Sequence, residues 1–175
     1  MDKRDKEELV VSAKQGDKLA FSRLYEEVYK ELYCFALYTL KNQQEAEDAV
    51  SQAVIHAYEG IQNLKKASAF RSWMYQIVLN ECRAILRKRN SLVYMEEMPE
   101  REGKEFDLGE RAALWDAFRK LKDVEREVLS LNIFGGYNSR EIAGMLNCSS
   151  GTVRSVKSRS LAILRTMLDT KGGAL

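Results

Sequence analysis

Residues 138–168 read NSREIAGMLNCSSGTVRSVKSRSLAILRTML: a short helical segment, a tight break, then a longer segment carrying Arg, Lys and Ser. Asn138 followed by Glu141 predicts a capping box at the start of the first helix. Ile142 and Leu146 supply its inner face, Asn147 and Cys148 make the turn, and Ser149 stands where it can cap the second helix. At about 100° per residue, Val153, Val156, Ser160, Leu161, Leu164 and Met167 cluster on the core side. Gly151, Arg154, Ser155, Ser158, Arg159 and Arg165 fall on the outer arc. This is the layout of a helix-turn-helix, whose second helix lies in the major groove of DNA. Early outward residues reach base edges in that motif, with Arg favoured for guanine. Ser149, Ser150 and Thr152 sit at a helix N-terminus, where hydroxyls and free backbone N–H groups suit a phosphate. The expected DNA contacts on this helix are Ser149, Ser150, Gly151, Thr152, Arg154, Ser155, Ser158 and Arg159. An ordinary helical hairpin with a charged face is the competing reading; capping, turn and outer-face chemistry together favour DNA.

Working outward, nearly every segment shows helical periodicity and none shows sustained strand alternation, so the chain reads as all-α. After a short helix ending near Gly16, Asp17 caps what reads as one long helix. Its buried stripe runs through Phe21, Leu24, Tyr25, Val28, Tyr29, Leu32, Phe35, Ala36 and Leu40. A further helix starts after Asn42 and reaches about Ile61, and another runs from Ser68 to about Arg89. From Asn90 to Asp107 the period stops, and Pro99, Gly103 and an acidic run mark a flexible linker. Helices near 108–121 and 124–133 then lead through Gly135 and Gly136 to the opening pair. The expected units are residues 1–90, a linker over 91–107, and residues 108–175.

Composition narrows the function classes. No apolar run approaches the ~20 residues of a membrane span, so no direct membrane insertion is expected. The charged N-terminus lacks the apolar stretch of a signal peptide, and the chain reads as cytoplasmic. Cys34, Cys82 and Cys148 are scattered and His56 is the single histidine, which argues against disulfides, a metal site or any other cofactor. The net charge of +2 hides a pattern: residues 61–95 carry 7 Lys or Arg against 1 acid, residues 96–110 carry 2 against 7, and residues 150–175 carry 5 against 1. Two basic blocks separated by an acidic one suggest two nucleic-acid surfaces joined by a segment that avoids phosphate.

In the first basic block, Gln76, Asn80, Arg83 and Arg87 recur at steps of four, three and four, which stacks them on one helix face, with Lys88 and Arg89 extending the charge. Just before them, Lys65, Lys66 and Ser68 form a polar loop beside Phe70, Arg71 and Trp73. A basic loop bordered by rings is what single-stranded DNA needs, although Trp73 is better read as core. The helix before that loop exposes Glu47, Asp48, Ser51, Gln52 and Ile55. An acidic face on a DNA-binding unit repels phosphate, so it is either idle surface or a protein-docking site.

Four stretches in this order and spacing, FSRLYEEVYKELYCFAL, AEDAVSQAVIHAY, FRSWMYQIVLNECRAILRKR and REVLSLNIFGGYNSREIAGMLNCSSGTVRSVKSR, resemble the extracytoplasmic-function sigma factors of bacterial RNA polymerase. The resemblance implies two small helical domains, a region 2 bundle and a region 4 helix-turn-helix. It implies that Glu47, Asp48, Ser51, Gln52 and Ile55 dock on the clamp helices of the polymerase's largest subunit, and that the C-terminal domain rests on the flap of the second-largest. Lys65, Lys66, Ser68, Arg71, Gln76, Asn80, Arg83, Arg87 and Lys88 would open and read the minus-ten element of promoter DNA, and the C-terminal pair the minus-thirty-five element. An anti-sigma partner is implied as well. Departures from the family pattern are Ser51 in place of Gln, Lys122 in place of Pro, and the Val156–Lys157 order in the recognition helix, where Val156 is expected to pack and Lys157 to snorkel outward.

Two other classes compete. A dimeric operator-binding regulator has no need of the second basic surface. An enzyme acting on DNA needs clustered carboxylates or an activated nucleophile, and the acids here lie in the linker or on helix exteriors.

Overall fold

The computed structural model describes residues 2–93 and 112–172. Among these, nine α-helices occur and no strand: α1 (Lys3–Lys14), α2 (Lys18–Glu26), α3 (Tyr29–Leu40), α4 (Gln43–Gly60), α5 (Phe70–Val93), α6 (Ala112–Arg119), α7 (Asp123–Ile133), α8 (Ser139–Leu146) and α9 (Ser150–Gly172). No helix among the described residues is long and apolar enough to cross a membrane. The expected linker falls mostly on residues 94–111, outside the described residues, as does the expected start of α6 near residue 108.

Helix starts follow the sequence closely because short polar side chains compete for the first free N–H groups. Asp17 accepts from the Leu19 and Ala20 amides, and Asn42 from the Glu45 amide. One expectation fails. The single long helix from Asp17 to Leu40 is two helices, interrupted at Glu27 and Val28. Glu27 remains in the right-handed helical region and Val28 stays close to it, with φ −111° and ψ −12°. The hydrophobic phase therefore survives the bend from Val28 to Leu32, and periodicity alone cannot register it. Tyr29, expected in the buried stripe, is instead 43% exposed, its ring lying against those of Tyr25 and Tyr33 at the surface. Similarly, α5 runs to Val93 rather than to Arg89, because Ser91 is polar but helix-compatible.

Helices α1–α5 form an N-terminal bundle and α6–α9 a C-terminal one, and the two share a core. Helix α3 lies between them, with every residue from Phe35 to Leu40 buried. Tyr38 meets Trp115, Phe118 and Phe134 of the C-terminal bundle at ring-centroid distances of 5.4, 4.9 and 4.6 Å. The Tyr75 hydroxyl donates to the Phe134 carbonyl at 3.1 Å. Arg126, 1% exposed, donates from Nε to the Thr39 carbonyl at 2.8 Å and also to the Leu121 carbonyl and to Asp123. Burial pushes its pKa down, while Asp123 opposes the shift. A guanidinium satisfied on three sides inside the seam ties α7 to the end of α3.

Between α7 and α8 the chain reverses at Gly135 and Gly136. A Cβ on Gly135 would sit 2.5 Å from the Leu131 carbonyl oxygen and 2.6 Å from the Tyr137 ring, and Gly136 has φ +69°. Both positions call for glycine, one sterically and one conformationally.

Candidate nucleic-acid and protein interfaces

The helix-turn-helix forms as its capping residues dictate. Asn138 accepts from the Arg140 and Glu141 amides at 2.9 and 3.1 Å, and Glu141 accepts in return from the Asn138 amide at 2.8 Å. Asn147 ends α8 in the left-handed conformation, φ 54°, which aims the chain into α9. Ser149 Oγ accepts from the Thr152 amide at 3.0 Å. On α9, Val153, Val156, Ser160 and Leu164 are buried, with the Ser160 hydroxyl donating to the Val156 carbonyl. Leu161, expected inward, is 38% exposed, while Ser160 and Leu164 of the same stripe are buried. Gly151, Thr152, Arg154, Ser155, Ser158 and Arg159 form an exposed outer arc, with Ser149 exposed at its start and Ser150 half-buried. Val156 is buried and Lys157 half-buried, so the reversed order places the apolar residue inward. Lys122 starts α7 with its backbone N–H donating to Glu125 at 2.9 Å, a bond that proline at this position could not make.

The α5 row is divided by the packing of the two bundles. Arg83 is held by Glu127 of α7 through two hydrogen bonds, Nε to Oε1 at 3.0 Å and Nη2 to Oε2 at 2.9 Å. Their side chains are 31% and 7% exposed, and the carboxylate raises the Arg83 pKa. Gln76 reaches Asn80 at 3.4 Å and the Met145 carbonyl at 3.5 Å. Arg71 pairs with Glu31 at 2.9 and 2.6 Å and lies over the rings of Tyr75 and Tyr137, 5.0 and 5.3 Å from their centroids. Asn80, Arg87 and Lys88 remain exposed, as do Lys65, Lys66 and Ser68 in the loop before α5. An open groove of about 430 Å³ runs along this seam, lined by Ser72, Trp73, Gln76, Tyr137, Glu141, Gly144 and Met145. Trp73 is only half-buried: its ring packs 6.2 Å from Phe70 and its other side borders the groove.

The structure therefore does not present the nine loop-and-α5 residues as one open surface. Arg71, Gln76 and Arg83 engage acids or backbone of neighbouring elements, and the other six face outward. Nothing in the spacing of α5 announces this, since the partners are 40 or more residues away in sequence. Arg89, expected to extend the basic face with Lys88, instead binds Glu45 and donates to the Leu40 carbonyl at 3.1 Å, a structural role at the base of α4. The α4 face behaves differently. Glu47, Asp48, Ser51, Gln52 and Ile55 are all exposed, Ile55 by 49%, and Glu47 accepts from Gln43 at 3.0 Å. Ala46, Ala49, Val50, Ala53 and Ala57 hold the opposite face in the core.

Comparison with known proteins agrees with this two-part plan. A family model for sigma-70 region 2 matches residues 24–92, and one for sigma-70 region 4 matches residues 111–164. An RNA polymerase sigma-H factor of Pseudomonas aeruginosa is 31% identical over 85% of this chain and 86% of its own length. The extracytoplasmic-function sigma factor SigM of Mycobacterium tuberculosis is 27% identical over 94% of this chain and 85% of its own length. Among solved structures, the fold is similar to that of CnrH in complex with the cytosolic domain of CnrY, with a TM-score of 0.71 and 23% identity over 95% of this chain and 98% of that one. It is also similar to the sigma factor RpoE bound to the anti-sigma factor NepR from Bartonella quintana, with a TM-score of 0.72 and 24% identity over 85% of this chain and 96% of that one.

Proposed function

The chain belongs to the extracytoplasmic-function sigma factors of bacterial RNA polymerase, and from that premise we propose how its surfaces divide the work of initiation. The α9 outer arc, from Ser149 to Arg159, reads the minus-thirty-five element. The loop residues Lys65, Lys66 and Ser68, with Arg71, Gln76, Asn80, Arg83, Arg87 and Lys88, capture and read the minus-ten strand. Glu47, Asp48, Ser51, Gln52 and Ile55 dock on the clamp helices of the largest polymerase subunit, and the C-terminal bundle sits on the flap of the second-largest. The protein carries out no chemical step. It works in the cytoplasm, and an anti-sigma protein restrains it, a reading supported by the structural relative RpoE, which was solved in complex with the anti-sigma factor NepR.

One observation carries the division: the shared core covers part of the α5 row while leaving the whole α4 face exposed. A chain in this arrangement can meet polymerase before it meets the minus-ten strand. Reading that strand then requires the C-terminal bundle to leave α5, which frees Arg83 and Gln76. Strand opening itself needs no catalysis, because unpairing costs a few kcal/mol that base capture offsets.

Run-off transcription with purified core polymerase and genomic fragments tests the reading. A promoter-dependent transcript is expected. Arg83→Ala with Arg87→Ala should impair promoter opening and leave polymerase association intact. Equal loss of association would show that this face has been assigned to the wrong partner.

A further inference from the structure

Helix α1 precedes the residues that the region 2 family matches, yet it is bonded directly to the loop between α4 and α5. That loop is two single 3-10 turns, Ile61–Asn63 and Ala67–Ala69, joined by extended backbone at Leu64 and Lys66. Internal bonding is sparse: the Leu64 amide donates to the Ile61 carbonyl and the Ala69 amide to the Lys66 carbonyl. What fixes the middle of the loop comes from elsewhere in the chain. Lys14 Nζ donates to the Leu64 carbonyl at 2.6 Å, and Gln62 Nε2 donates back to the Lys14 carbonyl. Beside them, the Tyr58 hydroxyl lies 3.5 Å from the Gly16 carbonyl.

We propose that Lys14 and Gln62 form a reciprocal clasp that makes α1 the positioning element for the strand-capturing loop. The inference rests on the reading that Lys65, Lys66 and Ser68 capture the minus-ten strand. Each bond answers a need of the backbone. Lys14 is the last residue of α1, and a helix leaves its final carbonyls without intrahelical partners. The Val11 carbonyl accepts from the Gln15 amide, the Ser12 carbonyl from the Gln15 and Asp17 amides and the Ala13 carbonyl from the Gly16 amide, and Gln62 serves the remaining one. The Leu64 carbonyl lies outside any helix in a residue only 3% exposed, where water is largely excluded, and the Lys14 side chain reaches it as its partner. Lysine suits this, with a four-carbon stem long enough to cross the gap and a compact ammonium at its end.

With Leu64 held at both ends, the exposed side chains of Lys65 and Lys66 leave from a fixed backbone rather than a mobile one. A loop already held in its capturing shape loses less conformational freedom when a base enters. Lys14 and Gln62 therefore act on the strand without touching it.

The test uses holoenzyme reconstituted on a promoter found by run-off transcription, with two DNA probes. One is a fork whose minus-ten non-template strand is single-stranded; the other is a duplex ending upstream of that element and containing the minus-thirty-five sequence. Lys14→Met and Gln62→Ala should each weaken fork binding by about fivefold, the factor expected from losing one hydrogen bond of this kind. The double variant should fall short of the product of the two, because both act on one clasp. Duplex binding and polymerase association should stay at wild-type levels, and Lys14→Arg should restore most of the fork affinity. Gln62 is exposed, so its variant reports even if Lys14→Met lowers stability. Wild-type fork binding by both single variants, alongside weakened binding by Lys65→Ala with Lys66→Ala, would overturn the clasp and leave the loop's role standing. An unchanged fork affinity in that lysine pair would remove the loop's role and the clasp with it. A uniform loss on both probes would mark Lys14 as a general stabiliser and overturn the proposal.

Discussion

Glu127→Ala should open the molecule. The carboxylate is 7% exposed and receives two hydrogen bonds from Arg83, which is itself 31% exposed. Removing one partner of a fully buried pair costs about 3–5 kcal/mol, and an exposed pair contributes about 0–1 kcal/mol. With Arg83 roughly a third in water, the loss should fall between these limits, at about 1–2 kcal/mol after solvent screening. It falls on the closed arrangement alone, because Arg83 is solvated once the bundles separate. At a tenfold change per ~1.4 kcal/mol, the open-to-closed ratio should rise by about 5–30-fold. Where the closed form dominates, the apparent affinity of the free chain for a single-stranded minus-ten oligonucleotide should rise by the same factor. Fluorescence anisotropy measures the affinity, and small-angle X-ray scattering measures the expansion. Glu127→Gln, which keeps the shape and loses the charge, should give a smaller effect in the same direction. A gain shared equally by an unrelated strand and unaccompanied by expansion would be the bare effect of deleting a negative charge. That result would refute the coupling between this pair and access to α5.

Gly135→Ala forces a Cβ against the Leu131 carbonyl and the Tyr137 ring and should lower stability by at least ~2 kcal/mol, read by calorimetry as a drop in melting temperature of about 4–8 °C. Cys148 is exposed, whereas Cys82 is buried and its thiol is pushed well up by that burial. Alkylation followed by mass spectrometry should modify Cys148 within minutes and Cys82 only on unfolding; comparable rates would contradict the packing of α5. On α9, Arg154→Ala and Arg159→Ala are separated by salt titration of minus-thirty-five duplex binding. A phosphate contact should reduce the log–log salt slope by about 1, and a base contact should cost about 1–3 kcal/mol and relax preference at one position. Absence of both signatures in both variants would show that the outer arc faces away from DNA.

Local chemistry in the chain already decided much of this. Asn138 with Glu141, Asp17, Asn42 and Ser149 compete for backbone N–H groups within a few residues, so their caps were legible without tertiary context. The exposed face of α4 and most of the inward side of α9 were legible in the residue pattern, as was the exposure of Arg154, Ser155, Ser158 and Arg159. Leu161 was the exception, because periodicity assigns an angle and not a neighbour.

Tertiary structure decided the rest. Whether Arg83 points to water, DNA or a carboxylate depends on a residue 44 positions away, and no local rule carries that information. Arg126 has a sequence context like that of any charged helical residue, yet it is buried at the seam because the Thr39 carbonyl lies opposite. The bend at Glu27 and Val28 was invisible because both residues stay near helical geometry and preserve the phase. Capping and amphipathicity act over one or two turns, and so the residues name the helices and their faces. Which charged face is covered and which stays exposed is set by long-range packing, where desolvation and shape choose among partners that the sequence leaves equal.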